Sequence, residues 1–269
     1  MAAMARADVS ASARDAAPGG LLGQHRVFPS ALLHLAPGAV AVLAYLFVCV
    51  PLAAALGLPR LLAFVLMDVL VLLPLLLACL LCLGRRRNGR FALDGVVLNQ
   101  RKLPARQLVA FVLGLVVWAL IVIGMLSWVD EVLLERVFYW VPVSLLPQVD
   151  MTGYAPALLI ATHAASVAVV GIAAPIVEEL YFRGFLLPRV SWMGGWAPVW
   201  NTVLFTGYHF WSPWRFVTRI IFSLPMVYAV WRKQSISIGI WWHCLGNTLG
   251  ELLAFMAVLQ AVASRGGAL

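Results

Sequence analysis

Apolar stretches at about 37–58, 61–83, 107–128, 155–187, 196–211, 214–231 and 236–262 take up most of this chain. A hydrocarbon core roughly 30 Å thick is crossed by about 20 apolar residues in a helix. Inside that core, backbone N–H and C=O groups have no water to bond and must be paired within the protein. Runs of this length and number leave one fold class: all-α, a polytopic transmembrane helical bundle of about seven to eight spans. Composition agrees, since hydrophobic residues make up 63% of the chain and charged residues 11%, outside the range of ordinary soluble domains.

Residues 1–30 are small, polar and punctuated by Gly and Pro, with Asp8 and Asp15 breaking any apolar core that a signal peptide would need. They are expected as a disordered N-terminal arm. Residues 31–150 then hold N-terminal transmembrane helices and loops, 151–262 the core that carries the chemistry, and 263–269 a short tail. Between the second and third stretches, Arg85, Arg86, Arg87, Arg90, Arg101, Lys102 and Arg106 accompany a single acid, Asp94. The positive-inside rule makes this loop cytoplasmic, and the N-terminus with it. Asp130, Glu131, Glu135 and Asp150 face one Arg136 on the opposite side, where "EVLLERVFYWV" reads as an amphipathic interfacial helix. The formal charge of +8 is clustered at span ends, which suits membrane lipids and gives no nucleic-acid face. Cys49, Cys79 and Cys82 lie within apolar stretches and read as packing residues.

An ionisable side chain in a span is expensive unless it pairs or lines a cavity, which makes each one a functional candidate. Asp68, His163, Glu178, Glu179, Arg183, His209, His243 and Glu251 are such residues, with Asn247 as a further polar group. Glu179 and Arg183 stand i,i+4 in "EELYFR", so their side chains meet on one helical face. Glu178 is turned about 100° from Glu179 and must face another partner. In "FTGYHF" Phe205 stands four residues before His209. In "WWHCLGNTLGE" His243, Asn247 and Glu251 form a ladder of i+4 steps. Measured from the breaks at 188–196 and 232–233, Glu178 lies about 15 Å deep, His209 about 20 Å and His243 about 15 Å, at 1.5 Å per residue. Three helices can thus bring two histidines, a carboxylate and an amide to one depth, opening toward the cytoplasm.

A buried carboxylate can take a proton from water, and imidazole and carboxamide N–H groups can hold the oxyanion of a tetrahedral intermediate. Those are the parts of a peptide hydrolase. No Ser, Cys or Thr nucleophile is paired with a base; Cys244 adjoins His243, but successive helical residues point apart. Two histidines and a carboxylate are also a hydrolytic zinc set. Compact spacings such as HExxH are absent, which leaves zinc, and with it an intramembrane metalloprotease, the lesser option and no cofactor the leading one.

At these residues the chain resembles the CPBP intramembrane proteases, the family that includes CAAX prenyl endopeptidases and relatives linked to bacteriocin processing. EExxxR stands here as "EELYFR", FxxxH as "FTGYH" and HxxxN as "HCLGN", in order, over roughly residues 155 to 255. The resemblance implies a glutamate-dependent endopeptidase acting on a membrane-bound or lipidated peptide. Glu178 and His209 would activate water, His243 and Asn247 would form the oxyanion hole, and Glu179, Arg183 and Phe205 would support them.

Plainer readings stand beside these. Glu178, Glu179 and Arg183 could form a buried ion network holding helices in register, and Asn247 could join two helices by a hydrogen bond. Asp68 and His163 match no motif and are expected to pair helices, while Glu251 is expected in a supporting position. Trp192, Trp196, Trp211, Trp214, Trp241 and Trp242 are expected as interfacial anchors. The reading from another class is a catalytically silent membrane protein using the same polar cavity to bind a partner or to transport; tolerance of Glu178→Gln would favour it.

Overall fold

The computed structural model describes residues 20–141 and 153–266. The ends of the expected arm and tail, and the stretch around Asp150, lie outside them. Among the described residues there is no β-strand, and the first helix, α1, spans Val27–Ala55. It is followed by α2 (Arg60–Asn88), α3 (Ala105–Arg136) and α4 (residues 156–186). A 3₁₀ segment, Leu187–Trp196, leads into α5 (Ala197–Gly207), then α6 (Phe216–Lys233) and α7 (Ile236–Gly266).

Prolines and left-handed residues set these limits. Pro59 and Pro104 precede α2 and α3, and Pro156 and Pro198 lie in the first turns of α4 and α5, where a missing N–H costs nothing. Helix α2 stops at Gly89 (φ 69°) after Arg85, Arg86 and Arg87, and α6 stops at Gln234 (φ 53°) after Arg232 and Lys233. Those cations face the negative ends of the helix dipoles.

Among the described residues five runs are long and apolar enough to cross a membrane: Val27–Ala55, Arg60–Asn88, Ala105–Arg136, Pro156–Gly207 and Ile236–Ser264. The fourth is 52 residues long, about 78 Å if straight. It breaks instead in the 3₁₀ segment, where Val190 and Gly194 leave helical geometry. The stretches expected as two further spans at 196–211 and 214–231 correspond to α5 and α6, of 11 and 18 residues. The acidic sequence expected as a separate interfacial helix begins as the last turns of α3, since neither Pro nor Gly interrupts residues 125–136.

The second half of α4 is the axis of the bundle. Tyr181, Phe182, Phe185 and Leu186 are buried there against Tyr45 of α1, Leu76 and Leu80 of α2, Phe205 of α5, Met226 and Val227 of α6 and Ile238 of α7. A helix enclosed on all sides carries any charge it holds into the core. Beneath it the basic loop of residues 89–104 folds inward. Leu98 N–H donates to Gly184 O at 2.7 Å, Asn99 Nδ2 to Arg183 O at 3.1 Å, and Ile236 N–H to Asn99 O at 2.7 Å. Gly184 permits this approach, because a Cβ there would stand 2.6 Å from Val97 Cγ1.

Candidate active site

Glu178, Glu179 and Arg183 are all buried in this central part of α4. Glu179 Oε1 lies 3.1 Å from Arg183 Nη1 and 3.1 Å from His243 Nδ1 of α7. A carboxylate only accepts, so Nδ1 carries the hydrogen. Arg183 makes an ion pair without hydrogen-bond alignment to Glu179 and sets its Cζ 3.8 Å above the Phe205 ring. One carboxylate and one π-face thus answer an enclosed guanidinium. The other Glu179 oxygen, Oε2, is pressed against α7 at Gly239, where a Cβ would collide with it.

Glu178, turned away from that pair, faces α5 and α7. Tyr208 donates its hydroxyl to Oε1 at 2.9 Å, and His243 Nε2 stands 3.7 Å from Oε2. No Lys or Arg pairs with it among the described residues. His243 therefore sits between the two adjacent glutamates, bonded to one and close to the other.

His209 follows Tyr208 where α5 ends. Its Nδ1 donates to Phe205 O at 2.8 Å, since a carbonyl can only accept. That bond leaves Nε2 of the neutral ring with its lone pair. The rings of Phe205, Tyr208 and Trp211 surround the imidazole at 4.8, 4.8 and 5.1 Å between centroids. Phe205 also meets His243 edge-on at 5.9 Å, so a single aromatic side chain touches Arg183 and both histidines.

Asn247 lies one helical turn beyond His243 and donates from Nδ2 to Val170 O of α4 at 3.1 Å; beside it Thr248 donates to Gly171 O at 3.0 Å. Of the seven site residues expected from sequence, six pack together, and Asn247 stands one turn away with one N–H engaged. Glu251 accepts from Ser166 Oγ at 2.6 Å, His163 stacks on Phe255 at 6.3 Å, and Asp68 is buried in α2. Cys244 Sγ turns to Ile172 O, away from the histidine beside it. Two tryptophans expected as anchors are corrected: Trp211 packs on Tyr208 and His209, and Trp242 is buried against Phe222. Trp192, Trp196 and Trp241 are exposed.

Sequence reasoning missed Tyr208, whose only signal was its place beside His209. It also missed Arg219, which points from α6 into the turn after His209.

Residues 160–249 match the model of a family described as Rce1-like, type II CAAX prenyl endopeptidase. That stretch of the chain is similar to the CAAX proteases. No curated protein and no solved structure matches it. The matched stretch runs from the first turns of α4 to the middle of α7 and holds all seven expected site residues, while Glu251 falls just outside. The matched family is one of proteases, and the apolar helices make this a membrane protein. Among the described residues no three of His, Cys, Asp and Glu are grouped so as to hold a metal ion, so the metalloprotease option gains no support.

Proposed function

We propose that the protein is an intramembrane endopeptidase in which Glu178 activates water against a peptide bond of a membrane-bound or lipidated polypeptide. The observation that carries this reading is the division of labour between adjacent glutamates. Glu179 is consumed by Arg183 and His243, whereas Glu178 has one oxygen held by Tyr208 and the other 3.7 Å from His243. A structural ion network would have matched both carboxylates with cations.

In this mechanism Glu178 Oε2 takes a proton from water while the oxygen bonds to the carbonyl carbon. His209 accepts a second hydrogen of that water at Nε2 and so aims it. The carbonyl oxygen becomes an oxyanion, met by Nε2–H of His243 when that ring is protonated on both nitrogens and by the second N–H of Asn247. Glu178 then passes its proton to the leaving nitrogen, the C–N bond breaks, and the carboxylate is restored. Water and the protein's own side chains supply every atom and proton.

Orientation follows from the basic loop. Leu98 and Asn99 bond α4 at Gly184 and Arg183, about 9 Å along the helix from Glu178. The positive-inside rule then puts the site nearer the cytoplasmic face of a cell membrane, with the N-terminus on that side.

The test is cleavage of fluorogenic prenylated peptides and of co-expressed membrane proteins by wild type and Glu178→Gln, with and without a strong chelator. Cleavage retained in chelator and lost in the variant is expected. Loss in chelator would restore zinc, and cleavage of nothing by wild type would favour the silent binding protein.

A further inference from the structure

Among the described residues three buried or half-buried arginines lie in the helical core, and two are answered locally. Arg183 has Glu179 and the face of Phe205. Arg189 has the face of Phe185 and donates to Phe185 O at 2.6 Å. Arg219 differs: its one bond among the described residues runs from Nη2 to the neutral hydroxyl of Ser212 at 2.9 Å, and the enclosed Nη1 has no acceptor. No carboxylate oxygen of a described residue lies within 4.0 Å of it. The nearby acid, Asp130 of α3, is occupied by Arg215 at 3.5 Å and Thr218 at 2.6 Å. Arg219, turned about 100° from Thr218, reaches instead to Ser212 in the turn after His209.

Position makes the lack of a charged partner among the described residues costly. Arg219 lies in the first turn of α6, where the helix dipole repels a cation, and an uncompensated charge within a membrane is rarely kept without a task. Its neighbourhood is the reaction centre: Ser212 N–H donates to His209 O at 3.0 Å, so one serine joins Arg219 to the His209 turn. Its charge thus lies close to His209. Since it is beyond ion-pair distance of Glu178, a group bound to it would sit beside the reacting bond and not upon it. The residue is half-buried with Nη1 enclosed, so an incoming group meets the guanidinium along its Nε and Nη2 edge.

The geometry points to Arg219 as the receptor for a carboxylate of the bound peptide, the planar fork taking both oxygens while Ser212 holds its inner edge. This rests on the protease reading for the identity of the ligand as a peptide. The carboxylate is either the free chain end or an acidic side chain.

The experiment measures binding and not turnover. Glu178→Gln protein in phosphatidylcholine nanodiscs is titrated, by fluorescence anisotropy, with a labelled prenylated hexapeptide as C-terminal acid, as C-terminal amide, and as amide with one internal Glu. One carboxylate peptide should bind at least about tenfold tighter than the plain amide, and which one does so identifies the source. Adding Arg219→Gln should bring that preference below about twofold while leaving binding of the plain amide unchanged. Should Arg219→Gln also lose the plain amide, Arg219→Lys decides: a retained preference supports the assignment and an absent one overturns it. Equal binding of all three peptides, no binding at all, or a preference that survives Arg219→Gln overturns it as well. Because turnover is not read, cleavage by Glu178→Gln would sink the proposed base without touching this result.

Discussion

Removing the Tyr208 hydroxyl isolates what holds the proposed base. Tyr208→Phe deletes the donor 2.9 Å from Glu178 Oε1 and nothing else, because the ring keeps its contacts with Phe182 at 4.9 Å and Trp211 at 5.3 Å between centroids. A hydrogen bond to a charged group contributes about 1.5–3 kcal/mol. If the carboxylate relies on it to hold its attacking geometry, most of that is lost from the transition state, which is about 10- to 150-fold in rate. The assay is kcat and KM for a fluorogenic prenylated peptide in nanodiscs, with the unfolding midpoint measured on the same sample. We expect kcat to fall within that range while KM and the midpoint stay near wild type. Activity within twofold of wild type would show that Tyr208 does not position Glu178, and a fall in kcat matched by loss of folded protein would make the bond merely structural.

Glu179→Gln leaves Arg183 enclosed without its counter-charge and should cost about 3–5 kcal/mol, read as a lower unfolding midpoint that Glu179→Gln/Arg183→Met partly recovers. Asn247→Ala removes the donor to Val170 O along with the proposed oxyanion donor. It should lower stability by about 1–3 kcal/mol and kcat of the protein that remains folded by about a hundredfold; unchanged kcat would confine Asn247 to joining α4 and α7. Pro175→Ala supplies an N–H to the α4 carbonyls now held by Asn247 and Thr248. The relaxed helix should turn the Glu178 face by up to about 100° relative to residues 156–168, seen as a more than tenfold loss of kcat/KM with the fold retained.

Much of the packing at the candidate site was legible because an intramembrane charge must find a partner. The spacing of Glu179 and Arg183, the placing of Phe205 under His209, and the three nearly equal depths each follow from one helical period, and the structure has these contacts. What was not legible depends on partners distant in sequence. Glu179 looked like a partner for Arg183 alone, yet it also holds His243, 64 residues away. Tyr208 is hidden for the same reason, since an aromatic residue near a span end suits an interface equally well. Trp211 and Trp242 show that ambiguity resolving inward. The loop of residues 89–104 showed only its charge, which orients it; nothing local says that Val97 and Asn99 reach the underside of α4.

The departures from regular helix do have a sequence signal, and it is proline. π-turns occur at Tyr45–Cys49 in α1, Asp68–Leu72 in α2, and Val169–Ala173 and Leu180–Leu186 in α4. Each ends two residues before a proline: Pro51, Pro74, Pro175 and Pro188. A proline inside a helix removes an N–H and crowds the carbonyl four residues back, and widening the preceding turn relieves that contact. Carbonyls left without a helical donor must be paired elsewhere in a membrane. Along α4 they are met from outside the helix: Val170 O and Gly171 O by Asn247 and Thr248, Phe182 O by Asn201, Arg183 O by Asn99 and Gly184 O by the Leu98 N–H. The two widened turns bracket Glu178 and Glu179, so the segment that carries the proposed base is tied to α5, to α7 and to the basic loop through its own backbone. Rigidity at an intramembrane carboxylate thus comes from helix defects that prolines impose and neighbouring elements repair, a reason for polar residues such as Asn99, Asn201 and Thr248 to lie in an apolar bundle without touching the chemistry.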